Sequence, residues 1–136
     1  RRYLSRLCPP RSLQDCLRKL QGKKMEEDQA KAIFMQLLST IDYFHSKNIA
    51  HCDLKFENIL YDENTGELKV IDFGFSVEDP VNNPPTFLCG TPSYMSPEEI
   101  MKKNIDFFKA DIWSCGVILF KLVTGLFPFR GIGTIT

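Results

Sequence analysis

The sequence predicts an α+β fold, mainly helical, with a small β-hairpin set among the helices. Three observations predict it. Residues 26–45 place apolar side chains at helical spacing, and residues 111–124 are apolar nearly all round. Between them, Ile59-Leu60-Tyr61 and Leu68-Lys69-Val70-Ile71 read as two short strands. The chain has 136 residues, 43% hydrophobic and 25% charged, which is enough to bury a core and too apolar for disorder.

In chain order, residues 1–11 follow no period: Arg1, Arg2, Arg6 and Arg11 surround Cys8-Pro9-Pro10. Ser12-Leu13-Gln14-Asp15 has the form of a capping box, with Leu13, Leu17 and Leu20 on one face behind it and Gly22 able to end the helix. In 26–45, Ala30, Ile33, Phe34, Leu37, Leu38, Ile41 and Phe44 recur at i, i+3, i+4 and i+7, so this is read as a core helix, Met35 included. Lys47-Asn48 turns the chain. The loop Asp62-Glu63-Asn64-Thr65-Gly66-Glu67 has hairpin chemistry. Residues 75–95 lack a period, and Pro80, Asn82-Asn83 and Pro84-Pro85 oppose regular structure; a loop of this length is usually functional. Ser96-Pro97-Glu98-Glu99 is a second capping box with Pro at the first helical position. The helix expected from Asp111 is stopped by Gly125 and Pro128, and Gly131-Ile132-Gly133 reads as a tail.

The chemistry concentrates in His51-Cys52-Asp53-Leu54-Lys55-Phe56-Glu57-Asn58, followed fourteen residues past Asn58 by Asp72-Phe73-Gly74. The hairpin puts Asn58 at one end and Asp72 at the other. Two carboxylates, an ammonium and an amide make a site for a metal-bound polyphosphate. Asn58 and Asp72 offer the hard oxygens Mg²⁺ takes. Lys55 can neutralise a transferring phosphoryl group, and Asp53 can accept a hydrogen bond from an attacking hydroxyl.

At these residues the sequence resembles the eukaryotic protein kinases. His51–Asn58 resembles the catalytic loop and Asp72-Phe73-Gly74 the metal-binding tripeptide. Gly90-Thr91-Pro92-Ser93-Tyr94-Met95-Ser96-Pro97-Glu98 resembles the end of the activation segment, and Asp111-Ile112-Trp113-Ser114-Cys115-Gly116 the start of the central helix of the large lobe. Each alone is weak; four in order are specific. The resemblance implies a partial large lobe over 12–130, an uncertain remnant near the hinge in 1–11 and a tail in 131–136. It implies ATP and Mg²⁺ as cofactors and a protein Ser or Thr as substrate. Asp53, Lys55, Asn58 and Thr91 would be catalytic. Lys55, Glu57, Asn58, Leu60 and Asp72 would bind the nucleotide, and Asn58 and Asp72 the metal. Lys55 and Thr91 are similar to the serine/threonine-specific markers, with Thr91 expected to bond both Asp53 and Lys55. In the resemblance Asp111 accepts backbone N–H groups of the catalytic loop. Phe75 resembles a residue associated with Ser over Thr, and the wording of the loops is similar to the calmodulin-dependent and AMP-activated branch.

Three positions depart from the pattern. Cys52 stands where an Arg usually holds an activation-loop phosphate, and Phe87 stands at the usual phospho-acceptor position, one after Thr86. Packing of Phe87 and Leu88 is therefore expected to order that loop, with phosphorylation of Thr86 as the minor alternative. Lys121 stands where relatives with basic substrates carry an acid; either it pairs with a neighbouring carboxylate, or upstream Arg/Lys selection is weakened. Glu98 normally meets an Arg outside this sequence and is expected unpaired. A Gly-rich strand and a strand Lys do not occur, so the chain alone is expected to be inactive. A non-catalytic pseudokinase-like interaction module is the alternative.

Other classes fit poorly. Net charge is zero, with ten Lys/Arg against five Asp/Glu in residues 1–50 and seven against twelve in 51–136. Tyr3 is the sole aromatic in 1–24, so no nucleic-acid partner is expected. No apolar run reaches membrane-span length, so no membrane partner is expected either. Five scattered Cys without a Cys-x-x-Cys pair suit a reducing, cytoplasmic (intracellular) location. The first residue is not Met, so a longer chain is expected.

Overall fold

The computed structural model describes residues 10–20, 24–86 and 90–129. The chain runs β1 (Arg11–Ser12), α1 (Leu13–Lys19), α2 (Glu27–Ser46), β2 (Ile49–Ala50), a 3-10 turn (Phe56–Asn58), β3 (Ile59–Tyr61), β4 (Leu68–Val70), β5 (Val77–Glu78), a second 3-10 turn (Pro92–Tyr94), α3 (Pro97–Met101) and α4 (Phe107–Thr124). Residues 1–9 of the hinge remnant, Gly22, Phe87, Leu88 and the tail from residue 131 lie outside the described residues.

Ser12 caps α1 by accepting from Asp15 N at 3.2 Å. α2 forms for the reason its period gives: Ala30, Ile33, Leu37 and Ile41 are all buried, with Phe34 and Leu38 packed beside them. Met35 is the exception. It points out of the core at 58% exposure, because it falls off the apolar face. Opposite lies α4, whose Cys115, Val117, Ile118 and Leu122 join the same cluster as α2 and the hairpin. Each fully buried aliphatic chain contributes roughly 2 kcal/mol.

The hairpin pairs Ile59 with Val70 and Tyr61 with Leu68. Its turn is made by Asp62, whose Oδ1 accepts from Asn64 N at 2.9 Å, and by Gly66 at φ +75°. Gln36 of α2 fixes the hairpin's register, donating to Gly66 O at 2.7 Å and accepting from Leu68 N at 3.1 Å. Two pairings go beyond the sequence reading. β1 adds to β3, giving the order β1-β3-β4, and β5 pairs with β2 inside the stretch read as irregular.

α4 begins one turn earlier than expected. Asp106 caps it, accepting from Phe108 N and Lys109 N at 3.0 and 3.2 Å, so Asp111 sits within the helix. It is also not buried all round, since Ile112 and Phe120 are exposed. Gly125 closes it at φ +78°, with its N–H on Lys121 O at 2.8 Å. Ser96 and Glu99 make the reciprocal capping box of α3.

Candidate active site

The loop 51–58 is held from α4. Asp111, 2% exposed, takes the His51 N–H on Oδ2 at 2.8 Å and the Cys52 N–H on Oδ1 at 3.0 Å. His45 Nε2 donates to Oδ2 at 2.9 Å. Three donors offset the desolvation of a buried carboxylate. They also hold Cys52 at φ +71°, a backbone region that side chains other than Gly occupy at a cost. His51 then locks the next step. Its Nδ1 accepts from Asp53 N at 3.1 Å and its Nε2–H donates to Ile71 O at 3.0 Å, which fixes the neutral Nε2–H tautomer. The ring stacks edge-on against Phe73, which in turn meets Phe44 of α2.

On this frame Asp53, Lys55, Asn58 and Thr91 come together. Asn58 Nδ2 donates to Asp53 O at 2.8 Å and to Asp53 Oδ2 at 3.3 Å. Lys55 Nζ lies 3.9 Å from Asp53 Oδ2 and donates to Thr91 Oγ1 at 3.3 Å. Thr91 reaches Lys55 as expected; a bond to Asp53 is not found among the described residues. Asn58 Oδ1 takes no hydrogen bond among the described residues, so it is left as an oxygen donor. Asp72 joins through the backbone, because Ile71 N–H meets Asn58 O at 2.8 Å. Its exposed carboxylate accepts from Gly74 N at 3.3 Å, with Asp72 itself at φ +59°. Leu60 lies on the hairpin face opposite buried Ile59 and Tyr61. Glu57 is exposed.

Several neighbours bear on the site. Burial first, then the charges of Asp111, Glu99 and Asp53, push the Cys52 thiol up to about 12, which disfavours its thiolate. Glu98 is exposed and incurs no burial cost; the buried carboxylate is Glu99, 5% exposed, whose pKa burial raises and whose bonds from Ser96 lower. Lys121 has no carboxylate within ion-pair distance among the described residues. Sequence reasoning missed His45, and its only signal was a histidine in the last turn of α2.

Asp111 anchors a loop carrying Asp53, Lys55 and Asn58 at the mouth of a hairpin, beside a mainly helical core. This is the large-lobe architecture that the motifs implied. The family model for the protein kinase domain matches residues 3–135, and the chain belongs to that family. It is 47% identical over 118 residues to CBL-interacting serine/threonine-protein kinase 5 of Arabidopsis thaliana, covering 82% of this chain and 26% of that protein. It is 50% identical over 110 residues to CBL-interacting protein kinase 5 of Oryza sativa subsp. japonica, covering 79% of this chain and 24% of that protein. The chain thus spans about a quarter of the length of these relatives. Among the described residues no helix is long and apolar enough to cross a membrane.

Proposed function

We propose that the protein containing this chain transfers the γ-phosphoryl group of Mg-ATP to a Ser or Thr hydroxyl of a protein substrate. The network joining Asp53, Lys55, Asn58 and Thr91 carries the reading. A scaffold has no need of four polar side chains so arranged, and relatives at about this identity are named serine/threonine kinases. The lobe reading over 12–130 belongs to the same proposal.

The donor set fits Mg²⁺ bound to a nucleotide. Mg²⁺ takes one or two protein oxygens and completes its shell with phosphate and water. Asn58 Oδ1 and the exposed Asp72 carboxylate are two such oxygens. Among the described residues no cluster of three or more His, Cys, Asp or Glu offers a dedicated metal cage, which suits an ion that arrives with its substrate. When bound, the ion would neutralise phosphate charge. Asp53 is the acceptor that orients the attacking hydroxyl, and Asn58 holds its carboxylate in place. Lys55, steadied by Thr91, balances charge at the transferring group. Leu60 offers its face to the base of the nucleotide, with Glu57 at the edge of the substrate path.

Kinetics of the full-length protein test this. Asp53→Ala is expected to lower turnover by ~10²–10⁴, the range for losing a positioned proton acceptor. A near-normal rate in that variant would remove the assignment.

A further inference from the structure

Lys121 is a buried ammonium that the proposed chemistry does not use. It is 9% exposed. Its Nζ lies 4.0 Å from the centroid of Phe127 and 4.7 Å from that of Phe56, and donates to Gln14 Oε1 at 3.3 Å. Two aromatic faces and one amide oxygen therefore stand in for a counter-ion. Desolvation lowers its pKa; the Glu57 charge opposes that fall and Arg18 adds to it.

These contacts close into a circuit. The Phe56 N–H donates to Tyr94 Oη at 3.3 Å. Tyr94 meets Phe127 edge-on, centroids 5.2 Å apart. Ser114 Oγ donates to Tyr94 O at 2.8 Å, tying the circuit to α4. Phe56 follows Lys55 directly, and Tyr94 lies three residues past Thr91. The circuit joins the same two loops that the Lys55–Thr91 bond joins.

We propose that Lys121 is a positioning residue for phosphoryl transfer. Its charge clamps Phe56 and Phe127, and so fixes the turn carrying Lys55 and Asn58 against the turn that follows Thr91. The role is electrostatic rather than space-filling, because a neutral chain of equal length would fill the same volume without drawing in either ring. It rests on the kinase reading above and adds a residue that the motifs do not name.

The test uses the full-length protein with Lys121→Met, which keeps the stem and removes the charge, and Lys121→Arg, which keeps a cation that stacks on rings. Two ring contacts, less the cost of desolvating the ammonium, correspond to about a tenfold change in a local equilibrium. Lys121→Met is expected to lower kcat by about that factor with the KM for ATP and for peptide nearly unchanged, and Lys121→Arg to restore it. A wild-type kcat in Lys121→Met, or an Arg variant as slow as the Met variant, overturns the proposal.

Hydrogen exchange at the amides of Phe56 and Asn58 supplies a readout independent of catalysis. It is expected to quicken about tenfold in Lys121→Met and not in Lys121→Arg, and equal exchange in all three proteins overturns the clamp. If the wild-type protein transfers no phosphate, the kinase reading fails while exchange still decides the clamp. If Lys121→Met does not fold, Phe127→Leu removes one ring instead; unchanged exchange there has the same overturning force.

Discussion

The carboxylate of Asp111 takes the amide hydrogen of His51 at 2.8 Å, across sixty residues of chain. This bond sets where the loop carrying Asp53 begins, since His51 in turn accepts the Asp53 N–H. Asp111→Ala would leave the His51 and Cys52 amides without an acceptor in a closed interior, and His45 without its partner. A cost of roughly 3 kcal/mol or more is expected. Asp111→Asn keeps one carbonyl oxygen and should lose less. Urea denaturation midpoints measure both. An Ala variant with a midpoint unchanged from the wild type would show that the loop is held by packing alone.

Glu99 gives the fold a dependence on pH. Burial lifts its carboxyl above the ordinary value of 4.5, against the pull of the Ser96 bonds. The folded state therefore holds a proton more tightly than the unfolded state. The resulting stability is fully present below the unfolded value and is lost as pH rises through the raised folded one. Glu99→Gln stays neutral and keeps an oxygen for the capping box. Its melting temperature relative to wild type is expected to climb from acid toward neutral pH; a pH-independent difference would contradict the assignment.

The thiols make a third case. Cys52 and Cys115 are pushed up to about 12, in each by burial first and then by Asp111. Burial raises Cys16 as well. From an ordinary 9.0, a value near 12 means a thiolate population lower by roughly a thousandfold at pH 8. Native protein treated with iodoacetamide is expected to remain unmodified at all three while the urea-unfolded chain reacts. Peptide mass spectrometry reads this directly, and alkylation of native Cys52 at the unfolded rate would refute it.

What the sequence made legible was local. The period of 26–45, the caps at Ser12 and Ser96 and the hairpin chemistry of 62–67 each lie within one turn or one helix, and each forms, although at Ser12 only the bond from Asp15 N is found among the described residues and not the reciprocal one of a full capping box. Pairings across the chain left no such trace. Gln36 reaches the hairpin across thirty residues, and His45 reaches Asp111 across sixty-six. The α4 start was hidden because Phe107-Phe108-Lys109-Ala110 shows no clear face until the Asp106 cap is seen. The cap pattern alone does not separate Glu98 from Glu99, yet Glu99 is buried and Glu98 faces solvent. At the site, the Asp53, Lys55 and Asn58 spacing was readable because one loop carries all three. The partners of Lys121 were not, since Gln14, Phe56 and Phe127 come from three distant segments.

Thr91 bears on how the charged groups share one another. Lys55 Nζ donates to Thr91 Oγ1 at 3.3 Å and stands 3.9 Å from Asp53 Oδ2. The hydroxyl thus keeps the ammonium from closing fully onto the carboxylate. Thr91→Val has the same shape and offers no acceptor, so Lys55 is expected to close on Asp53 and occupy the oxygen proposed to face the substrate hydroxyl. Thr91 is only partly buried, so stability should fall by about 1 kcal/mol at most. Turnover of the full-length protein should fall more, by roughly 10–100-fold, the cost of displacing a catalytic group by a fraction of an ångström to an ångström. Thr91→Ser keeps the oxygen and should stay close to wild type. Steady-state kinetics of the two variants, with melting temperatures as control, separate the cases: equal rates for Val and Ser would mean that Lys55 is placed by something other than this hydroxyl.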